Sequence, residues 1–288
     1  MGLINAKEML EDANRGRYAI GHFNLNNMES VRAFLLAAEE VRSPIILAVS
    51  GGTAKYMGGY RTISHMVEDF IQYLKITVPV ALHVDHGTYE EALEGIRQGF
   101  TSVMFDGSSL PIERNLQLTK EVLELAEAHG ISVEAEVGGI GGEEDGKISM
   151  GERANPEHCK MMADLGVDFL AAGIGNIHGK YPQDWEGLDF DLLVRIKKQV
   201  GHLPLVLHGG SGIPEDQIRK AIELGVNKIN VNTECQIAFT EATRKYFEEG
   251  KDLASRGFAP RAMLAPGLEA TRRLCIRKME LFGSVGRA

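Results

Sequence analysis

The chain has 288 residues, 44% of them hydrophobic, and a formal net charge of −9. That acidic balance argues against a nucleic-acid partner but not against a small phosphorylated one, because a local site can be positive in an acidic protein. No run reaches membrane-spanning length, Met1–Leu10 lacks the apolar core of a secretory leader, and the cysteines Cys159, Cys235 and Cys275 show neither ligand nor pairing spacing, which fits a reducing cytoplasm.

Apolar runs and amphipathic periods then alternate along the chain. A first helix is expected over Ala6–Asn14, Tyr18–Asn24 as strand one, and Met28–Val41 as a helix with apolar positions at Val31, Phe34, Leu35 and Ala38. Pro44–Ser50 is strand two, followed by Gly51-Gly52, a polar loop and the helix Thr62–Leu74. Strand three, Val78–Gly87, runs apolar into His83, Asp85 and His86 and stops at a glycine; Tyr89–Gln98 is its helix. Thr101–Asp106 and Ile112–His129 form the fourth unit, and Ser132–Val137 is strand five, followed by a glycine-rich loop and the helix Pro156–Leu165. Phe169–Ile174 with Phe190–Val200, Pro204–His208 with Glu215–Leu224, and Lys228–Asn232 with Glu234–Glu249 complete the series; Ala259–Phe282 reads as a helical tail.

Short buried strands alternating with helices imply parallel pairing, and eight such units imply a closed α/β barrel, a single (β/α)8 TIM barrel with an extra C-terminal helical tail. A doubly wound open sheet is the other arrangement such alternation allows. It would need no eightfold count and would usually place a glycine fingerprint after strand one, where this chain has Phe23-Asn24. No linker interrupts the series, so residues 1–288 read as one domain.

Polar residues stand at the strand ends: Asn24, Ser50, Asp85 with His86, Asp106, Glu134 and Glu136, His178, His208, and Asn230 with Asn232. In a barrel these converge on one face, where barrel enzymes hold their sites. A lone strand-end histidine is usually structural, and Asp85 alone could simply cap the next helix. Three histidines from three strands, His86, His178 and His208, can give three nitrogens to one zinc and leave a position open, while Asp85 moves a proton. His83 shares the face of Asp85 but is not expected to be a ligand. Gly209–Gly212 and Asn230–Thr233 leave the last two strands, where backbone N–H groups and a helix start commonly cradle phosphate. Ser211 and Thr233 add hydroxyls, and Gly179 lets backbone approach the same group. The loop 138–146 is either a solvated acidic turn or a mobile lid that delivers Glu143 or Glu144 as a base.

The motifs Ala19–Asn24, Leu82–Gly87, Ser102–Gly107, Ser132–Glu136, Gly141–Gly146, His178-Gly179, Leu207–Gly212 and Lys228–Glu234 together resemble class II, zinc-dependent fructose-bisphosphate aldolase, from Tyr18 to the carboxyl end. Asp168–His178 and Trp185–Asp189 look most like the short-chain enzymes of Gram-positive bacteria. The resemblance implies zinc on His86, His178 and His208, and a second divalent position at Asp106 and Glu136. It implies proton exchange with the C4 hydroxyl at Asp85 and C–H proton transfer at Glu144. It assigns dihydroxyacetone phosphate contacts to Gly179, Gly209, Gly210, Ser211, Asn230, Val231, Asn232 and Thr233, and a substrate-side role to Asn24. Ser50 and Arg261 match contacts to the other phosphate, Arg261 by reaching into a neighbouring subunit of a homodimer or homotetramer, although the family often has Asp-Pro-Arg where this chain has Ala259-Pro-Arg261. A monovalent cation is also implied.

Aldol cleavage needs a stabilised enediolate, which a zinc Lewis acid supplies. Class I aldolases use a lysine Schiff base instead, for which Lys228 is the position to test. Related zinc enzymes cleave tagatose bisphosphate or the phosphorylated keto acid of inositol breakdown. Asn230-Val-Asn-Thr-Glu234 resembles the fructose branch, whereas the tagatose branch more often has alanine at the position of Asn232. A barrel that binds metal and sugar phosphate without turnover is the non-enzyme alternative, and intact Asp85 and Glu144 speak against it.

Overall fold

The computed structural model describes residues 2–144 and 147–288, with backbone alone for residues 143, 144, 147 and 148. In chain order the elements are α1 (Ala6–Gly16), β1 (Ile20–Asn24), α2 (Met28–Val41), β2 (Ile45–Val49), α3 (Gly51–Tyr56), α4 (Tyr60–Tyr73), β3 (Val80–Gly87), α5 (Tyr89–Arg97), β4 (Ser102–Phe105) and α6 (Ile112–His129). Then follow β5 (Ser132–Val137), β6 (Gly141–Glu144), β7 (Lys147–Ser149), α7 (Pro156–Leu165), β8 (Phe169–Ala172), β9 (Ile177–His178), α8 (Phe190–Val200) and β10 (Leu205–Leu207). The chain ends with α9 (Glu215–Glu223), β11 (Val226–Val231), α10 (Thr233–Glu248) and α11 (Pro260–Phe282).

Eight strands close a barrel in the order β1-β2-β3-β4-β5-β8-β10-β11. The closing pair is β1 against β11, parallel, with Ile20 opposite Lys228 and His22 opposite Asn230. The expected eight-stranded barrel and helical tail are therefore present. Local chemistry starts the helices where expected: Asn27 and Ser30 cap each other's backbone at α2, as Thr88 and Glu91 do at α5, satisfying N–H groups that a helix start leaves free.

Side-chain alternation sorts the strands into two packings. Phe23, Leu47, Leu82, Val84, Val103, Val133, Leu170, Leu207 and Ile229 belong to the core shared with the surrounding helices. Ile20, Ile46, Ala81, Phe169, Ala171 and Val206 form a separate apolar layer, which Ala6, Met9, Leu10 and Ala13 of α1 seal from below. Two residues further along the strands the interior turns polar, with His22, His83, Glu134, Lys228 and His208 all fully buried. The polar end is the carboxyl end of the strands.

Two segments differ from expectation. The polar loop after Ser50 contains helix α3, whose first residue, Gly51, lies against the Glu91 carboxylate: a Cβ there would lie 2.0 Å from Glu91 Oε1. Part of the glycine-rich loop is paired strand, with β6 antiparallel to β7 and parallel to β9. Glycine permits this, since a Cβ on Gly142 would lie 2.1 Å from the carbonyl oxygen of His178. Residues 145 and 146 of the expected lid lie outside the described residues.

Candidate active site

Three histidines meet at the polar mouth of the barrel. His86 is the last residue but one of β3, at a register shift against β4, with φ of 46°. His178 sits on β9, opposite Gly142, and His208 directly follows β10. One nitrogen from each lies within 4.8 Å of the others. The outward-facing nitrogens are already engaged: His86 Nδ1 is 2.8 Å from Asp106 Oδ2, and His208 Nε2 is 2.7 Å from Glu134 Oε1. This leaves His86 Nε2 and His208 Nδ1 facing each other at 2.6 Å. Carboxylate partners behind ligand nitrogens are what fix imidazole orientation in metal sites, and the donor set fits a divalent ion such as zinc.

The electrostatics agree with that fit. Burial, then the neighbouring imidazoles, holds His178 well below its ordinary pKa; burial and the His86 charge lower His208. Both rings stay neutral and free to ligate. Burial also acts against a charge on His86, but the hydrogen bond to Asp106 and the charges of Asp85 and Glu136 outweigh it and raise its pKa well above 6.5. A metal ion arriving at this site must displace that proton. His86, Asp106 and Glu136 form a second group able to hold a cation. There burial and Asp106 push the Glu136 carboxyl well up, while the His86 contact holds Asp106 down against its own burial. The buried trio His22, His83 and Asp85 also converges, but burial and then the charge of Lys228 depress both histidines, and that charge disfavours a further cation.

Asp85 is 3% exposed and lies between two amides. Asn24 Nδ2 donates to its Oδ2 at 2.7 Å, and Asn230 Nδ2 donates to its Oδ1 at 3.2 Å. Burial opposes its charge, yet the imidazoles His22, His86 and His208 hold the carboxyl well below the usual range. Beneath it Lys228 Nζ bridges Glu134 Oε2 and Asn230 Oδ1, each at 2.8 Å. This lysine is fully buried and paired on both sides.

The structure brings most of the expected substrate residues together. Asn24, Asp85, His178, Gly179, Gly209, Ser211, Asn230, Asn232 and Thr233 line one recess. His86, Asp106, Glu136, His178 and Gly51–Gly52 line the adjoining cleft, with Gly139, Ile140 and Gly142 of the glycine-rich segment. Gly210 is nearby, but its N–H donates to the Asn230 carbonyl, and the Val231 side chain is buried in the helix-facing core. Ser50 is buried where α3 begins. Arg261 is exposed in the first turn of α11 and lines neither recess. The Glu144 side chain lies outside the described residues. An apolar trough on α4, lined by Met66, Phe70 and Tyr73 among others, lies away from all of these groups.

His22 stands outside the residues expected at the site, and so does the pairing of Glu134 with His208 and Lys228. The available signal was alternation: Ile20, His22 and Asn24 share the inward face of β1, so a histidine between a plugged apolar layer and a substrate-side asparagine must meet polar groups.

The profile of the family described as fructose-bisphosphate aldolase class-II matches residues 4–287. The chain is 52% identical to a fructose-bisphosphate aldolase of Streptococcus pneumoniae, with all of both chains covered. It is 50% identical to one of Mycoplasma pneumoniae, covering 99% of this chain and 100% of that one. Among solved structures it is similar to the YdjI aldolase of Escherichia coli K12, with a TM-score of 0.85 and 32% identity over 99% of each chain.

Proposed function

The chain belongs to the class-II fructose-bisphosphate aldolase family, and on that premise we propose that it reversibly cleaves fructose 1,6-bisphosphate to dihydroxyacetone phosphate and glyceraldehyde 3-phosphate. The observation that carries the reading is the convergence of His86, His178 and His208 on one point beside the buried carboxylate of Asp85.

His86, His178 and His208 would hold zinc, which when bound supplies a Lewis acid for the ketone and its neighbouring hydroxyl. Asp85 accepts the C4-hydroxyl proton as the C3–C4 bond breaks, its negative charge kept available by the imidazoles and amides around it. Asn230 stands over the same region, and Gly179, Gly209, Ser211, Asn232 and Thr233 surround the recess we assign to the phosphate of dihydroxyacetone phosphate. Glu144 is the group we assign to C–H proton transfer on that product. His86, Asp106 and Glu136 form a second cation position. A Schiff-base route through Lys228 is disfavoured, because its Nζ is locked between Glu134 and Asn230 and lies below the recess. The tagatose epimer remains the competing substrate.

The reading extends to the whole chain. Residues 1–288 act as one barrel domain in the cytoplasm; among the described residues no helix is long and apolar enough to cross a membrane. Phe247, Leu253 and Phe258 are 46%, 86% and 66% exposed around the turn that leads to Arg261. We assign that surface to a second copy, which brings Arg261 to the neighbouring site; sedimentation of the wild-type protein as a monomer would refute this.

A coupled assay of fructose bisphosphate cleavage, with and without chelator, tests the function. We expect turnover that chelation removes and zinc restores. Full turnover after exhaustive metal removal would sink the metal-dependent mechanism, and no cleavage with zinc present would sink the activity.

A further inference from the structure

We propose that His22 is a positioning residue for Asp85, one that holds the Asn24 carboxamide so that its nitrogen, and not its oxygen, faces the carboxylate. The inference rests on the aldolase reading and adds to it a group that touches neither metal nor substrate.

His22 is fully buried in the second inward position of β1, between Ile20 in the apolar layer and Asn24 at the mouth. Its Nε2 faces two oxygens, Asn24 Oδ1 at 3.2 Å and Asp85 Oδ2 at 3.5 Å. A lone pair on Nε2 would meet both of them in repulsion, so the ring proton belongs on Nε2. The opposite nitrogen, Nδ1, has no hydrogen-bond partner. A buried acceptor left unpartnered destabilises the fold, and an apolar side chain would avoid that cost; the layer just below is made of such side chains. The histidine is therefore retained for what Nε2–H does. Burial and the Lys228 charge push its pKa down to about 3, so it acts as a neutral donor and brings no charge to Asp85 at neutral pH.

The arrangement has a counterpart on the other side of the carboxylate. Asn230 also turns its nitrogen to Asp85, and its oxygen accepts from Lys228 Nζ below. Each flanking amide is thus held oxygen-down by one donor from the layer beneath. Without a donor at position 22, Asn24 is free to turn over. Its oxygen would then oppose Asp85 Oδ2, and the 2.7 Å contact that aims the carboxylate is lost. The acceptor for the C4-hydroxyl proton would be displaced, and an error of about an ångström in such a group costs on the order of a hundredfold in rate.

The experiment compares wild type, His22→Phe and His22→Gln, all loaded with zinc. Two reactions are followed: cleavage of fructose bisphosphate, and solvent exchange of the C–H proton of dihydroxyacetone phosphate. Exchange needs no C4 hydroxyl and so no Asp85 transfer. For His22→Phe we expect kcat for cleavage to fall by about a hundredfold, KM to stay within about threefold, and exchange to continue near the wild-type rate. His22→Gln, whose amide N–H reaches a similar position, should restore most of the cleavage. If His22→Phe does not fold, the slimmer His22→Met makes the same comparison. The proposal is overturned if the donor-less variant keeps full cleavage, if cleavage and exchange fall together, or if folded His22→Gln is as impaired as the donor-less form. Wild type that catalyses neither reaction would instead refute the aldolase reading itself.

Discussion

The two ends of the barrel interior differ by a single step along the strands. At the amino end Ile20, Ile46, Ala81, Phe169 and Val206 fill the space and α1 seals it. One inward position later, His22, His83, Glu134, Lys228 and His208 occupy the same cross-section, fully buried. Burial of the first layer stabilises the fold by about 25 cal/mol per Å² of apolar surface. The second layer costs stability unless every charge is paired. It is paired: Glu134 takes Lys228 and His208 on its two oxygens. Stability and chemistry thus occupy separate layers; within the polar one, His22, Glu134 and Lys228 lie below the recess and aim the groups above, while His208 itself joins the histidine cluster.

Substitutions can break this division of labour. The largest effect is expected for His178→Ala, which removes one of three convergent nitrogens. Cleavage should be abolished while the circular dichroism spectrum and melting transition persist, and full activity in the metal-stripped variant would end the class II mechanism. Asp85→Ala should retain zinc, measured by metal analysis, and lose about three orders of magnitude in cleavage. Loss of metal with rescue by excess zinc would instead make Asp85 part of the metal's own support. In the lower layer, Ile46→Ala should cost about 2–5 kcal/mol of stability and leave kcat/KM within about twofold. A large kinetic effect there would show that the two layers are not separable.

Metal affinity should depend on pH, with a sign set by His86. The raised pKa of its metal-free form means that acid keeps the proton in place and weakens zinc binding. Affinity should rise by about tenfold per pH unit while one proton is displaced, and then level off above the His86 pKa. Competition titrations at several pH values check this; a flat profile would remove His86 from the ligand set. The smallest effect concerns the sugar. Fructose and tagatose bisphosphates differ only at C4, so fructose should have the higher kcat/KM, and Asn232→Ala should narrow the gap by about tenfold or less. A wild-type preference for tagatose bisphosphate would overturn the substrate assignment and leave the metal chemistry standing.

What could be read in advance follows from where the physics is local. The convergence of His86, His178 and His208 was legible because each follows an apolar run, and titratable groups at buried strand ends gather on one face of a barrel. The eightfold alternation gave the barrel for the same reason. The joint role of Lys228 was not legible: its partner Glu134 lies 94 positions earlier (228 − 134), and which inward side chains meet across a barrel depends on stagger, which no local pattern encodes. Gly51 and Gly142 misled in the same direction, since glycine marks a turn in sequence but here lies at close approaches within a helix and a strand. Arg261, expected to reach the second phosphate of a neighbouring subunit, is exposed and lines neither recess of its own chain.

The closing seam between β1 and β11 has a consequence for how the protein is made. Ile20 pairs with Lys228, 208 positions later (228 − 20), and the Ala19 N–H waits for the carbonyl of Phe282 in the last helix. Translation at about 5–20 residues per second leaves the first strand with one unpaired edge for roughly 10–40 s. During that interval the nascent barrel is an open sheet, and an open edge is a template for mispairing. Only when β11 has emerged can the two edges cover each other, so closure of the barrel comes late in the making of this chain.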